Sequence, residues 1–345
     1  MADRSEHARC IREAEADLFS AVGAEVEECF LDLVRTAVRV RVLSHGSGPP
    51  LVLLHGVSLG AAAWAPLFSA LPGRRLLAVD LPGHGLSDPV SYRGGRVRQH
   101  ARALIDDIFD ALELDEAPVL GHSLGGMFAL WHLATGAGRI SGLVALGEPA
   151  VALPGARVRM PLSLLTVRGL GTAVLRSPTP RPVYRHLLAQ GLGRAEVAAM
   201  PESLLEVLRL SALRPANARS VASLMHAIDR FRRPRPESVL TGAQLAAIPV
   251  PTIFILGSDD PYLSPRRARP SIDQIPAATL YEVSAGHAPW LVDPNHAAEL
   301  ITTLFGSNPS ERQRRTLPLP NGAHTADPSA GCGTQFAGKT AGTAG

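Results

Sequence analysis

Ser123 lies in the pentapeptide Gly121-His122-Ser123-Leu124-Gly125, which has the pattern G-x-S-x-G. Apolar residues 117–120 precede it, and residues 126–131 continue as a mostly apolar run. A strand, a glycine-tight turn and a helix form the setting in which such a serine is exposed at the end of a sheet as a nucleophile. The sequence therefore predicts a serine-dependent hydrolase with Ser123 as its nucleophile.

Acyl transfer by a serine also needs backbone donors for the negatively charged oxygen of the tetrahedral intermediate. The apolar stretch 51–54 ends in His55-Gly56, where a following N–H can be left outside the strand ladder. We expect the oxyanion hole to consist of two backbone N–H groups, those of Val57 and Leu124.

A serine hydroxyl becomes reactive when a neighbouring base removes its proton. The candidate base is His287, which lies in the short loop Ser284–Trp290 between a glycine and an alanine. A stretch typical of a strand, residues 279–283, precedes this loop. The same imidazole would later protonate the leaving group.

The imidazole in turn needs a carboxylate that fixes its tautomer and orientation. Open α/β sheets present their site groups at the carboxyl ends of strands. Acidic residues follow two buried-type strands: Asp259 and Asp260 come after the stretch 252–257, and Glu148 comes after the stretch 140–146. The residues alone leave all three open.

In their order along the chain, these segments resemble the α/β-hydrolase superfamily, from about Glu25 to Phe305. Val79–Asp88 also looks like the D-x-P-G-x-G-x-S loop of that family. The G-x-x-D pattern of the family places the acid at Asp260, whereas some members use an acid after the sixth strand, where Glu148 lies. The resemblance is to the serine-nucleophile branch with esterases and haloperoxidases, and it implies a Ser-His-Asp triad with no cofactor and no metal.

The wider pattern predicts an α/β fold with a mostly parallel central sheet flanked by helices, because apolar stretches alternate with helical ones. Predicted strands are 25–33, 38–43, 51–54, 76–80, 119–121, 140–146, 252–257 and 279–283, the first two antiparallel. Predicted helices are 61–71, 97–112, 124–135 and 296–305.

Four segments follow from this pattern. Residues 1–24 are predicted to contain an amphipathic helix, since apolar residues recur with helical spacing. The core comprises 25–148 and 243–305. Residues 149–242 are rich in proline and lack a strand pattern, and in the resembled family such an insertion after the sixth strand is a helical lid over the active site. The tail, 306–345, has the composition of a disordered segment.

Composition excludes several classes of function. The 345 residues carry a net charge of only +3, so no basic face for nucleic acid is indicated. Cys10, Cys29 and Cys332 are too widely spaced for a redox or metal motif. The sequence shows neither the apolar run of a signal peptide nor an apolar stretch long enough to span a membrane, so we expect a cytoplasmic protein. No oligomeric state follows from the sequence.

Several reactions are open to such a site. We expect hydrolysis of a carboxylic ester, lactone or thioester of a small to medium hydrophobic substrate through an acyl-enzyme on Ser123. Carbon–carbon bond hydrolysis is an alternative, although His122 and Val57-Ser58-Leu59 depart from the motifs usual in that class. Two further alternatives are non-hydrolytic acyl transfer or cyclisation in natural-product biosynthesis, and ligand binding without turnover.

Overall fold

The structure, a computed structural model, describes residues 2–92, 96–177 and 179–305, with side chains from residue 6 onward. The predicted tail, 306–345, lies outside the described residues. The strands are β1 Val26–Leu33, β2 Val38–His45, β3 Pro50–Leu54, β4 Arg75–Val79, β5 Ala117–His122, β6 Ile140–Leu146, β7 Thr252–Gly257 and β8 Ala278–Val283. The α-helices are α1 Ala2–Ala21, α2 Ala65–Phe68, α3 Val97–Ala111, α4 Leu124–Leu133, α5 Leu170–Arg176, α6 Arg181–Leu192, α7 Arg194–Ala199, α8 Glu202–Ala212, α9 Pro215–Ile228, α10 Gly242–Ala246, α11 Pro265–Ile272, α12 Pro289–Val292 and α13 Pro294–Thr302.

The strands form one sheet in the order β1-β2-β4-β3-β5-β6-β7-β8. β1, β2 and β4 pair antiparallel, and every neighbouring pair from β4 to β8 is parallel. The predicted α/β fold with a mostly parallel sheet and an antiparallel start is confirmed. Because parallel strands all end at one edge, the loops after β3, β5, β6 and β7 meet there.

Both faces of the central strands β3 to β7 are buried, as expected where helices cover a parallel sheet, whereas the edge strands β1 and β8 are partly exposed. Side chains alternate along β3: Leu51 and Leu53 belong to one hydrophobic cluster, and Val52 and Leu54 belong to the other. Helices α3 and α4 pack on the second face, and α1, α2 and α13 pack on the first. This double burial gives the site a rigid floor.

Helix α1 lies within residues 1–24, where the sequence predicts a helix, and a buried ionic contact joins it to the sheet. Ile11 and Leu18 on its inner side are fully buried. Arg41 of β2, 1% exposed, pairs with Glu15 of α1 and with Asp80, each at 2.7 Å. Paired burial of this kind is what allows charged groups to remain inside a protein.

Two predicted helices are shorter in the structure. The stretch 61–71 is a 3₁₀ turn, Ala61–Trp64, followed by the four-residue α2, which starts with Ala65-Pro66; proline is well suited to a first helical turn because its missing N–H has no intrahelical acceptor there. The helix after Ser123 ends at Leu133, and the chain then turns at Gly136, whose φ is 74°. Within residues 2–92, 96–177 and 179–305, no helix is long and apolar enough to cross a membrane.

Residues 147–251, here called the insertion, separate β6 from β7. In its described part it contains α5 to α10 and three-residue or longer 3₁₀ turns, without a strand. Leu204 and Leu208 of α8 join the first hydrophobic cluster, and Leu224 of α9 joins the second. The insertion therefore packs into the same two hydrophobic clusters as the sheet. Its role as a lid stays a prediction.

Candidate active site

Ser123 occupies the sharp turn between β5 and α4. Its φ of 48° and ψ of −106° lie in a region that a residue with a side chain rarely adopts. Such a conformation persists only where the surroundings impose it, and it is the conformation expected of a nucleophile exposed at a strand-to-helix turn. The serine is 6% exposed and lies at the floor of a pocket.

The glycines of the pentapeptide are required by close packing around this turn. A Cβ at Gly125 would overlap the carbonyl of Leu54, and a Cβ at Gly121 would lie 2.7 Å from Cα of Gly126. The N–H of Gly125 also donates to the carbonyl of His55 at 3.1 Å. The end of β3 is thereby held against the start of α4.

This contact brings the two predicted oxyanion donors to the same pocket. Leu124 is the first residue of α4, so its N–H is one of the helix-terminal donors without an intrahelical acceptor. Val57 follows β3 in a turn. In the part of the chain that the structure describes, neither N–H has a protein acceptor, and both residues line the pocket.

His287 and Asp260 form a buried pair, and His287 lines the same pocket as Ser123. Nδ1 of His287 lies 2.7 Å from Oδ2 of Asp260, and the two side chains are at most 3% exposed. Asp260 also accepts hydrogen bonds from the backbone N–H groups of Glu148, at 2.9 Å, and Tyr262, at 3.0 Å. Burial opposes ionisation of Asp260, but His287 and these donors outweigh it and hold the pKa of the carboxyl below its usual value.

The two alternative acids are placed differently. Glu148 is fully buried, and neither carboxylate oxygen has a hydrogen-bond partner among the described residues. Burial, followed by repulsion from Asp260, raises its pKa well above the usual value. Asp259 is exposed. Of the three carboxylates open in the sequence, Asp260 is the one paired with His287.

His122 supports the other side of the candidate base. Its ring is 4.7 Å from the ring of His287, and its Nε2 donates to the carbonyl of His287 at 3.0 Å. Burial and the neighbouring His287 lower the pKa of His122 well below the usual value. The His122 ring thus lies in contact with both His287 and Trp290. Trp290 is buried, its ring N–H donates to the carbonyl of Ala63, and it lies outside the pocket lining.

The pocket above Ser123 is lined mainly by apolar side chains. The insertion supplies most of its wall, from the segment before α5 through α6, α8 and α9. Its polar lining groups, apart from backbone, are few and include Ser58, His122, Ser123, Ser177, Thr179, Tyr184, Arg209, Tyr262 and His287. Such a cavity with a few convergent polar groups is typical of a small-molecule site.

Three of these lining residues were missed by the sequence analysis as site groups. The ring of Tyr262 lies 4.5 Å from that of His287. The Tyr184 hydroxyl is buried without a partner in the described part of the chain, and burial raises its pKa. Arg209 pairs with Glu206 three residues earlier. Each looks like an ordinary helix or loop residue in the sequence, so only the folded chain reveals its position.

A family model described as alpha/beta hydrolase fold matches residues 49–294. The chain belongs to this family and is an α/β-fold hydrolase. A pimeloyl-[acyl-carrier protein] methyl ester esterase from Xanthomonas oryzae pv. oryzae is 31% identical over 277 residues, covering 76% of this chain and 98% of the relative.

Other relatives carry different names. A 2-hydroxymuconate semialdehyde hydrolase from Pseudomonas sp. is 26% identical, covering 72% of this chain and 84% of the relative. The match to a 2-hydroxy-6-oxononadienedioate/2-hydroxy-6-oxononatrienedioate hydrolase from Cupriavidus pinatubonensis is 36% identical but covers only 32% of this chain and 40% of that protein. Carboxylesterase CesB from Bacillus subtilis shares the fold, with a TM-score of 0.70 at 20% identity, covering 87% of this chain and 98% of its own.

Proposed function

We propose that this protein hydrolyses carboxylic esters, including lactones or thioesters, of small to medium hydrophobic acids through an acyl-enzyme. The observation that carries the proposal is the convergence of Ser123, the His287–Asp260 pair and the free N–H groups of Val57 and Leu124 on one apolar pocket. The esterase names among the relatives support the same reaction class.

The reaction follows from the geometry. Asp260 engages Nδ1 of His287, so Nε2 is the nitrogen left to take the Ser123 proton as Oγ bonds to the substrate carbonyl carbon. The backbone N–H groups of Val57 and Leu124 stabilise the resulting oxyanion. The C–O bond of an ester or lactone, or the C–S bond of a thioester, then breaks, and the leaving alkoxide or thiolate takes the proton from the imidazolium. A water deprotonated by the same imidazole adds to the acyl-serine carbonyl, the bond between the acyl carbon and Oγ breaks, Oγ takes the proton back from the imidazolium, and the carboxylic acid is released.

The insertion acts as the lid of this site and selects the acyl group. Leu162, Leu165, Leu188 and Met225 are among the apolar side chains that face the pocket from it. Burying an acyl methylene there contributes roughly 0.8 kcal/mol. An aliphatic or aromatic acyl group is therefore favoured over a strongly polar one.

Carbon–carbon bond hydrolysis is the second candidate, because two relatives are named as hydrolases of 2-hydroxy-6-oxo acids or a muconate semialdehyde. Their names imply an anionic substrate. The described pocket offers one guanidinium, that of Arg209, which is already paired with Glu206. An apolar ester fits this lining better.

Covalent labelling followed by a substrate panel tests the proposal. An alkyl fluorophosphonate is expected to add one phosphonyl group to the wild type, read by intact mass, and none to Ser123→Ala. The panel contains p-nitrophenyl esters of graded acyl length, a lactone and a ring-cleavage product. Labelling of Ser123 together with turnover of the esters supports ester hydrolysis. Turnover of the ring-cleavage product alone supports carbon–carbon bond hydrolysis. A folded protein that turns over neither the esters nor the ring-cleavage product contradicts both candidate functions.

A further inference from the structure

Glu196 of helix α7 is a buried carboxylate without a role in the reaction described above. The residue is 1% exposed, and one carboxylate oxygen, Oε1, accepts a hydrogen bond from the backbone N–H of Gly286. A glutamate is seldom this deeply buried unless it is engaged. Its partner is the residue immediately before His287, so the insertion reaches the loop of the candidate base.

A second contact joins the same two segments. The backbone N–H of His287 donates to the carbonyl of Leu192 at 2.7 Å. Two consecutive N–H groups, those of Gly286 and His287, are therefore held by the junction between α6 and α7. On the opposite side, His122 donates to the carbonyl of His287 at 3.0 Å. The backbone of His287 is fixed from both sides, and Asp260 fixes its ring.

The junction is closely packed around two glycines. Gly193, between α6 and α7, has a φ of 119°, and a Cβ there would overlap Oε2 of Glu196. A Cβ at Gly286 would lie 2.6 Å from the Leu192 carbonyl and 2.9 Å from the same Glu196 oxygen. Both glycines are needed because the carboxylate and the loop meet at backbone distance.

Helix α6 connects this junction to the pocket. Tyr184, Leu187, Leu188 and Leu192 of α6 all line it. The wall that receives the acyl group and the carbonyl that holds His287 thus belong to one helix. Any displacement of the insertion at this point would reach the base directly.

We propose that Glu196 is a positioning residue for His287, holding the loop of the base in register with Ser123 from within the insertion. The inference rests on the proposed function, since His287 is taken as the base. Loss of the Gly286 contact leaves the His287–Leu192 hydrogen bond as the remaining one of the two described backbone contacts to the insertion, and a misplacement of about 1 Å at a reacting group can lower the rate by about 100-fold. Glu196 touches neither substrate nor reacting atoms and acts only through His287.

The test separates positioning from simple stabilisation by comparing kcat with KM. In Glu196→Ala, kcat per active site is expected to fall roughly 10- to 100-fold while KM changes little, because the pocket wall remains. In Glu196→Gln, the amide carbonyl can still accept from Gly286, so kcat is expected to stay within about fivefold of wild type. Sites are counted by fluorophosphonate titration, which removes unfolded protein from the comparison.

Glu202→Ala is the matched control. Glu202 is an exposed carboxylate of the insertion that pairs with Arg181 at 2.6 Å, and none of its described hydrogen bonds or ion pairs reaches the His287 loop. Its kcat is expected to be unchanged. If Glu196→Ala does not fold, Glu196→Asp, which shortens the reach by one methylene, takes its place with the same expected loss. A thermal destabilisation with kcat unchanged per titrated site would overturn the positioning role. Activity that survives Ser123→Ala would instead overturn the proposed function.

Discussion

The carboxylate of Asp260 accepts the backbone N–H of Glu148 at 2.9 Å, so the two acidic residues lie side by side beneath the candidate base. Only Asp260 is paired with His287, at 2.7 Å. The Glu148 side chain is buried without a partner in the described part of the chain, and repulsion by Asp260 adds to burial in raising its pKa well above the usual value. Their environments therefore act in opposite directions, favouring the neutral form of Glu148 and the ionised form of Asp260, although both side chains are buried.

Activity should depend on one of these acids and not on the other. Asp260→Asn is expected to lower kcat on an active ester by about 10⁴-fold, because the amide favours the wrong imidazole tautomer. Glu148→Gln is close to isosteric with a protonated glutamic acid, so its kcat should stay near that of wild type. Steady-state kinetics on both folded variants checks this. An inactive Glu148→Gln with a nearly active Asp260→Asn would reverse the assignment.

Glu148 should also make stability depend on pH. Its folded pKa is raised above the ordinary 4.5, so the unfolded chain releases its proton first as pH rises. Stability is then lost above the ordinary value, by up to about 1.4 kcal/mol per pH unit until the folded pKa is reached. Glu148→Gln does not titrate. Its free energy of unfolding relative to that of wild type, measured by urea titration, should increase as pH rises above about 5, and a constant difference would contradict the raised pKa.

His84 should give the free energy of unfolding the opposite pH dependence, at acidic pH. Burial, together with the neighbouring His55, lowers its pKa from 6.5 to about 3. Between pH 6.5 and about pH 3, His84 is therefore protonated in the unfolded chain but not in the folded one. Stability that is present above pH 6.5 is lost as pH falls toward 3. His84→Asn should be less stable at neutral pH but show a shallower loss between about pH 6.5 and about pH 4. An unchanged slope would show that His84 does not contribute to acid unfolding.

Acyl-chain preference should respond to Met225, a 2% exposed residue of α9 that lines the pocket. Met225→Ala enlarges the pocket and should move the optimum toward longer p-nitrophenyl esters, at a stability cost of about 2–5 kcal/mol. Met200→Ala is the matched control, since Met200 is buried to a similar degree but lies outside the pocket lining. Its destabilisation should leave the optimum in place. The same shift in both variants would mean that the pocket does not bind the acyl chain.

Local sequence patterns were sufficient for the sheet and for the turn that holds Ser123. Strand alternation, glycine spacing and the order of the motifs predict contacts between neighbours along the chain or in the sheet, and the structure confirms the fold. The residues alone left Asp260 and Glu148 open, because both follow buried strands. The family resemblance favoured Asp260, and the structure pairs Asp260 with His287.

The contacts that could not be predicted from the sequence are those made by residues of the insertion. In the sequence, Glu196 is one of several acidic residues in the insertion, and its contact with Gly286 joins residues 90 positions apart. Tyr184 and Arg209 likewise acquire a position relative to Ser123 only when α6 and α8 fold over the sheet. Packing between such helices is set by many weak contacts, which no short motif records.

The central claim, that Ser123 forms an acyl-enzyme in this pocket, is tested most directly by ester turnover of wild type against Ser123→Ala across p-nitrophenyl esters of graded length. We predict a length optimum in the wild type and a loss of kcat of about 10⁴-fold or more in the variant, as when a member of a catalytic triad is removed. Circular dichroism and thermal unfolding establish that the variant is folded. A folded Ser123→Ala that retains activity within about tenfold of wild type would contradict the claim.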